Sequence, residues 1–365
     1  MRSEPARAGS AGGRAVRVGA MRLATTIQFT GDPAKLTRRV QDLESAGIDM
    51  VWTGEIYGYD SVSVFGYLMG QTTRMQFMTG ILPIYSRTPA LLAMTAMTLD
   101  ALSGGRFHLG IGTSGPQVIE GWHGVPFDKP IQATREIIDV CRQVWRRERL
   151  EYDGKAIQLP LPAERGTGLG KPLKLMNTPL RADIPIWVAS LGPKNVEITF
   201  EAANGWQPIH FVPDRFRQVW GDAIDAGLAK RDPALGPVEI IAGGSVALGD
   251  GPEVREAREA VRQNTGFYVG GMGAKGKNFY NDLFKRYGYE QEAEQIQDLF
   301  LSGHRDEAYS KVPDEYLDMA TLCGDEGHVR ERIAVYKEIG TTWLQVNPVG
   351  ENPLEIIEKV RAWAE

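Results

Sequence analysis

From residue 22 onward, short runs of β-branched and aromatic residues alternate with longer stretches whose apolar positions recur every three or four residues. The first pattern is that of a buried strand and the second that of an amphipathic helix. Strands are predicted at Arg22–Gln28, Met50–Thr53, Met75–Ile81, Phe107–Ile111, Ile184–Ala189, Gly205–Ile209, Glu239–Val246 and Thr341–Val346. Helices are predicted at Pro33–Ala46, Pro89–Leu102, Ile131–Arg147, Pro193–Ala203, Pro213–Ala229, Pro252–Thr265, Glu326–Ile339 and Pro353–Ala364. Asp32 stands at an N-cap position and Gly47 at a stop, and proline opens several of the other helices. That start and stop asymmetry is what helix ends require. Repeated strand–helix units imply a parallel sheet, and eight of them with no clear mid-chain split favour closure into an α/β (β/α)8 TIM barrel over an open doubly wound sheet.

Two segments break the alternation. In Leu150–Leu173, Asp153-Gly154 between alternating residues reads as a hairpin turn. Residues 266–325, Gly-rich at first and then helical in short pieces, fall between strands 7 and 8. An insertion there projects from the C-terminal face, where barrel enzymes carry their sites, and reads as a lid or substrate wall, with an extra helical layer or dimer surface as the alternative. Residues 1–20, rich in Gly, Ala and Arg, read as a disordered arm ahead of one domain at 21–365.

Composition narrows the picture only a little. A net charge of -5 argues against nucleic-acid binding. No run approaches the roughly 18 apolar residues of a membrane helix. Cys141 and Cys323 are the only cysteines, which suits a reducing cytoplasm rather than a disulfide framework. No His/Cys/carboxylate spacing suggests a metal, and Gly110-Ile111-Gly112 lacks the rest of a dinucleotide fingerprint.

The candidate chemistry gathers at strand ends. Gly80 closes an apolar strand, either as a bulge for a flat ring or as a plain bend. Gly112-Thr113-Ser114-Gly115-Pro116 exposes backbone N–H groups and two hydroxyls. Ser190-Leu191-Gly192-Pro193-Lys194 runs from a strand into a helix start, which is an anion site or simply a helix that binds nothing. Glu55, after strand 2, is a candidate acid, base or hydroxyl partner or else a solvated loop acid, and His123 is a candidate proton donor or a satisfied loop histidine.

Taken together, Tyr85-Ser86-Arg87-Thr88-Pro89, Thr98 through Phe107, Leu191-Gly192-Pro193-Lys194 and Tyr268 through Gly273 with Lys277 through Leu283 resemble the luciferase-like monooxygenase family, specifically its F420-dependent oxidoreductase branch and a mycobacterial-type subgroup within it. The resemblance implies coenzyme F420, with FMN and monooxygenase chemistry as the alternative, a small-molecule substrate and a homodimer. A cofactor carrier without catalysis is a third reading. Gly80–Ile81 matches a non-prolyl cis peptide behind the ring. Thr113 and Ser114 match positions near it, Ser190, Leu191, Gly192 and Lys194 match the phosphate loop, and Glu55 matches an acidic position near the cofactor. The family's sugar-phosphate dehydrogenases carry a histidine and a glutamate where Ile56 and Gly115 stand here. That departure implies reduction of an activated double bond or carbonyl, with Glu55, Tyr57 or His123 as proton donor.

Overall fold

The computed structural model describes residues 20–365. The expected arm at residues 1–20 lies outside them, apart from Ala20. Eight parallel strands form the ring: β1 (Arg22–Thr26), β2 (Met50–Thr53), β3 (Gln76–Thr79), β4 (Phe107–Gly112), β5 (Ile186–Val188), β6 (Gly205–Trp206), β7 (Glu239–Leu248) and β8 (Trp343–Pro348). Each pairs with the next, and β8 returns to β1 through Trp343↔Arg22, so no edge is left open. The chain is a TIM barrel.

Alternation along the strands sorts the side chains. Leu23, Val51, Phe77 and Leu109 face the helices in the main core. Ala24, Met50, Met78, Trp187, Ile241 and Trp343 fill the barrel itself. Buried His108 joins them, its Nδ1 accepting from Trp187 Nε1 at 3.0 Å and its Nε2 bonded to Gln76 at 2.7 Å. The stretch from Thr98 to Phe107 is an architectural device. Helix Pro89–Ser103 ends at left-handed Gly104, buried Asp100 takes the Arg181 guanidinium at 2.7 Å, and Arg106 donates to the carbonyls of Met69, Met75 and Ser103.

Three expectations need correction. Helix Pro252–Thr265 continues to Gly271, so Gly266, Gly270 and Gly271 are not loop glycines. They are contact glycines: a Cβ on Gly266 would stand 2.6 Å from Tyr309, and on Gly270 and Gly271 2.6 and 2.5 Å from Phe300. The hairpin is real, but its loop is Gly154–Ile157 rather than a two-residue turn. The Glu136 carboxylate holds that loop by accepting from the N–H groups of Lys155, Ala156 and Ile157. Helix Ser61–Met69, capped by Asp60, has no counterpart among the expected elements.

Residues 266–325 form the end of the long helix and then helices Phe279–Arg286, Glu290–Leu301, Arg305–Ser310 and Asp314–Ala320. A short strand, Leu322–Gly324, closes the insertion by pairing with the far end of β7. Tyr287 ties the segment to the loop after β6: its hydroxyl donates to His210 O at 3.0 Å and accepts from Val212 N at 3.1 Å. The insertion therefore stands over the C-terminal ends of the strands.

Candidate active site

β3 changes course at its C-terminal end. Met78 lies opposite His108 and Leu82 opposite Ile111, so Thr79, Gly80 and Ile81 face only Leu109 and Gly110 across the ladder. This is a β-bulge with one extra residue. Within it the Gly80–Ile81 peptide bond is cis. The ladder is stitched around the bulge: Gly80 N donates to Thr53 O, Glu55 N to Ile81 O, and the Thr79 hydroxyl exchanges hydrogen bonds with Gly110 N and O.

Glycine is required at this spot by close approach. A Cβ on Gly54 would stand 2.5 Å from Gly80 O, and one on Gly80 2.5 Å from Trp52 and 2.9 Å from Gln207. Gly112 faces Ile81 and Ala189. The barrel mouth is thus floored by small residues around a displaced peptide. Trp52 and Gln207 approach Gly80 through the six-membered ring edge and the amide nitrogen, and their Nε1 and Oε1 atoms are buried without a hydrogen-bond partner.

Glu55, one of the proton-donor candidates, is held in an ion pair. Its carboxylate pairs bidentately with Arg87 at 2.7 and 2.9 Å and also accepts from Ser61 N at 3.1 Å. Both oxygens are engaged and the pair is mostly buried. Glu55 therefore anchors the strand 2 end, the loop after the bulge and the helix at Ser61 to one another.

The loop after β4 carries Thr113 and Ser114. Thr113 Oγ1 donates to Ser114 O at 3.2 Å, and Ser114 is left-handed at φ 57°, a conformation a serine adopts only when its surroundings hold it there. His123 follows the short helix Pro116–Gly121, and its Nε2 is buried without a partner. Tyr57 is 68% exposed on the loop after β2, and its ring lies 6.2 Å from that of Trp122.

Beyond β5, helix Pro193–Ala202 opens at Gly192 with no side-chain cap. Its first-turn N–H groups have no side-chain acceptor, the state in which a helix start can take an anion. The Ser190 hydroxyl is bonded to Thr199 at 2.8 Å in the interior and its carbonyl accepts from Trp206 Nε1 at 3.0 Å, which leaves its backbone N–H. The Leu191 carbonyl accepts from Trp220. Lys194 is exposed and pairs with Glu197 at 3.0 Å. Lys230 and Lys194 together hold the Glu197 carboxyl below its ordinary range.

No motif in the sequence marks Trp52, Gln207 or His210 as site residues. His210 follows β6 at φ 53°, its ring 4.9 Å from Tyr268 and 5.8 Å from Tyr280. Burial pushes the imidazole down to about 4, so it is neutral near pH 7, and its Nε2 is buried without a partner. Burial raises the Tyr280 phenol to about 12. Among the described residues no cluster of His, Cys, Asp and Glu is placed to hold a metal ion.

The sequence profile of the family described as luciferase-like monooxygenase matches residues 15–342. A Mycobacterium tuberculosis protein named as a coenzyme F420-dependent oxidoreductase is 40% identical over 331 residues, 89% of this chain and 94% of the relative. The 5,10-methylenetetrahydromethanopterin reductase of Archaeoglobus fulgidus is 27% identical over 344 residues, 92% of this chain and 96% of that one. The solved coenzyme F420-dependent tetrahydromethanopterin reductase of Methanopyrus kandleri superposes with a TM-score of 0.73 at 23% identity, covering 94% of this chain and 98% of its own. That last likeness is one of fold.

Proposed function

The chain belongs to the luciferase-like monooxygenase family, and from that premise we propose that it is an F420-dependent oxidoreductase acting on a small organic substrate. The observation that carries the reading is the cis Gly80–Ile81 bulge set over a floor of Gly54, Gly80 and Gly112. The residues fit the cofactor: a Cβ at either of the first two positions would fill the cradle, and the Gln207 amide, whose Nε2 borders Gly80 and whose Oε1 lacks a partner, offers a polar group beside it. The uncapped start of helix Pro193–Ala202 suits a phosphate.

When bound, F420 supplies or takes up a hydride. The chain's own residues position it and manage the proton. Ile81 supports the ring, Thr113 and Ser114 border it, and the backbone N–H groups of Leu191, Gly192 and Lys194 receive the phosphate. Glu55 contributes by fixing Ile81 through its backbone and Arg87 through its carboxylate. With Ile56 and Gly115 offering no acid or base, the favoured direction is reduction of an activated double bond or carbonyl. Tyr57 and His123 remain the proton-donor candidates, and residues 266–325 serve as the wall that limits water.

The assembly we propose is a homodimer. Helix Pro89–Ser103 supports it, because Leu91, Met94 and Leu102 stay exposed on a face opposite the buried one. Two free, buried cysteines suit a reducing cytoplasm.

Calorimetric titration of the purified protein with F420 and with FMN tests the cofactor, and the expected result is tighter binding of F420. FMN binding more tightly would move the assignment to flavin monooxygenase chemistry. Turnover with reduced F420 and a panel of enones, imines and ketones tests the direction, and oxidation of alcohols alone would reverse it.

A further inference from the structure

The mouth has an aromatic rim that the cofactor site does not use. Tyr57 and Trp122, 68% and 65% exposed, sit on the loops after β2 and β4. Tyr268 lies close enough to Tyr57 to feel its charge, and it packs at 4.7 Å on Tyr280 and 4.9 Å on His210. Three βα loops and the insertion thus contribute to one aromatic margin. Water-exposed aromatic side chains clustered at a functional mouth mark a surface that gains from being covered. Two arginines of the surrounding loops are held in ion pairs. Arg87 is paired with Glu55 and Arg215 with Glu315. A phosphorylated or carboxylated substrate would find no unpaired partner among these cations. Among the described residues, Nε2 of His210 is one of several uncharged buried polar atoms at the mouth without a partner, beside those of His123, Trp52 and Gln207.

Resting on the F420 reading above, we propose that the substrate is an uncharged, mostly apolar ketone or enone, held by Tyr57, Trp122, Tyr268 and Tyr280 with its oxygen hydrogen-bonded to His210 Nε2. The neutral imidazole donates from Nε2 to the carbonyl oxygen, and the aromatic rings cover the hydrocarbon part. Selectivity then follows size and polarity rather than charge. A site built around one hydrogen bond discriminates against molecules that lack the matching oxygen.

The test uses the full-length protein, reduced F420 and methyl ketones of increasing chain length, alongside the same skeletons ending in phosphate or carboxylate. We expect 1/KM to rise about threefold to fourfold per added methylene until the rim is filled, and the charged skeletons to bind at least about tenfold more weakly. Trp122→Ala should raise KM more for long ketones than for short ones. His210→Phe should narrow the gap in affinity between a ketone and the hydrocarbon of the same shape, by about tenfold. The ketones are also titrated into cofactor-free protein by tryptophan fluorescence, which reads substrate binding without turnover. Calorimetry with F420 separates the two readings. Failure to bind F420 overturns the cofactor assignment, while chain-length dependence in the fluorescence titration still decides the substrate class. Affinity independent of chain length, or greater for the phosphorylated skeletons, overturns the apolar-substrate proposal even when F420 binds tightly.

Discussion

At the scale of single residues, the site depends on what is missing at Gly54 and on what is paired at Glu55. A methyl group at Gly54 would meet the Gly80 carbonyl oxygen at 2.5 Å, and that neighbour is backbone within a stitched ladder. Gly54→Ala is expected to destabilise the protein by about 1–3 kcal/mol through overpacking and to weaken F420 binding by displacing the Ile81 peptide. Thermal unfolding and calorimetry on the same sample read both effects, and unchanged F420 affinity would show that the bulge does not seat the ring. Glu55 tests a different idea. Removing it in Glu55→Ala leaves Arg87 mostly buried without its counter-charge, at a cost of about 3 kcal/mol. Glu55→Gln keeps the contact with Ser61 and should cost less. An acid that delivered protons would behave otherwise: Gln would abolish turnover while leaving stability near normal, so the ratio of activity loss to stability loss across the two variants separates anchor from donor.

At the scale of elements, the helix start at Gly192-Pro193 makes a distinct prediction. The phosphate is assigned to backbone N–H groups, and Lys194 already shares Glu197 with Lys230. Lys194→Ala should therefore weaken F420 binding by only about fivefold, the worth of one screened charge near a helix terminus. A loss of a hundredfold or more, measured by calorimetry at low salt, would make the side chain the principal donor instead. The insertion makes another. Gly270→Val would drive a branched side chain into Phe300 and should loosen helices Pro252–Gly271 and Glu290–Leu301. Hydrogen exchange should quicken there and stay slow in β1–β4, and uniform quickening would mean the insertion is not a separable unit. These elements also show what the sequence could reveal. Barrel strands and their helices were legible because apolar period and proline–glycine punctuation are local signals. Residues Gly266–Gly271 misled for the same reason: glycine marks loops by default, and its partner Phe300 is distant in sequence. Helix Ser61–Met69 was hidden by β-branched residues and a glycine. Near the mouth, the helix start at Pro193 left a mark in residue type, whereas Gly80 alone left bulge and bend open and the cis peptide followed only from the family resemblance. The pairing of Glu55 with Arg87, and the placement of Trp52, Gln207 and His210 at one mouth, are long-range facts with no local pattern.

At the scale of the whole molecule, the barrel interior sets a pH limit on stability. His108 is enclosed with Trp187, Trp343 and Gln76, its two ring nitrogens serving as acceptor and donor, an arrangement that only the neutral imidazole satisfies. Burial, then the Arg181 and Arg22 charges, push it from 6.5 down to about 3. Between those values the unfolded chain binds a proton that the folded barrel refuses. Stability from this group is therefore complete above about pH 6.5 and declines as the pH falls toward 3. The loss between pH 7 and pH 5 is about 2 kcal/mol, since each pH unit in that window is worth about 1.4 kcal/mol per proton. His210, depressed to about 4, has the same sign in the same window but lies at the mouth. The two are separated by ligand: a ketone or cofactor covering the mouth changes the surroundings of His210 and leaves those of His108 untouched. Urea unfolding at pH 7 and pH 5 should show the decline in the wild type, a shallower decline in His108→Gln despite its lower stability at pH 7, and a decline partly altered by F420 and a ketone in the wild type. An equal slope in wild type and His108→Gln would place the acid sensitivity outside the barrel interior.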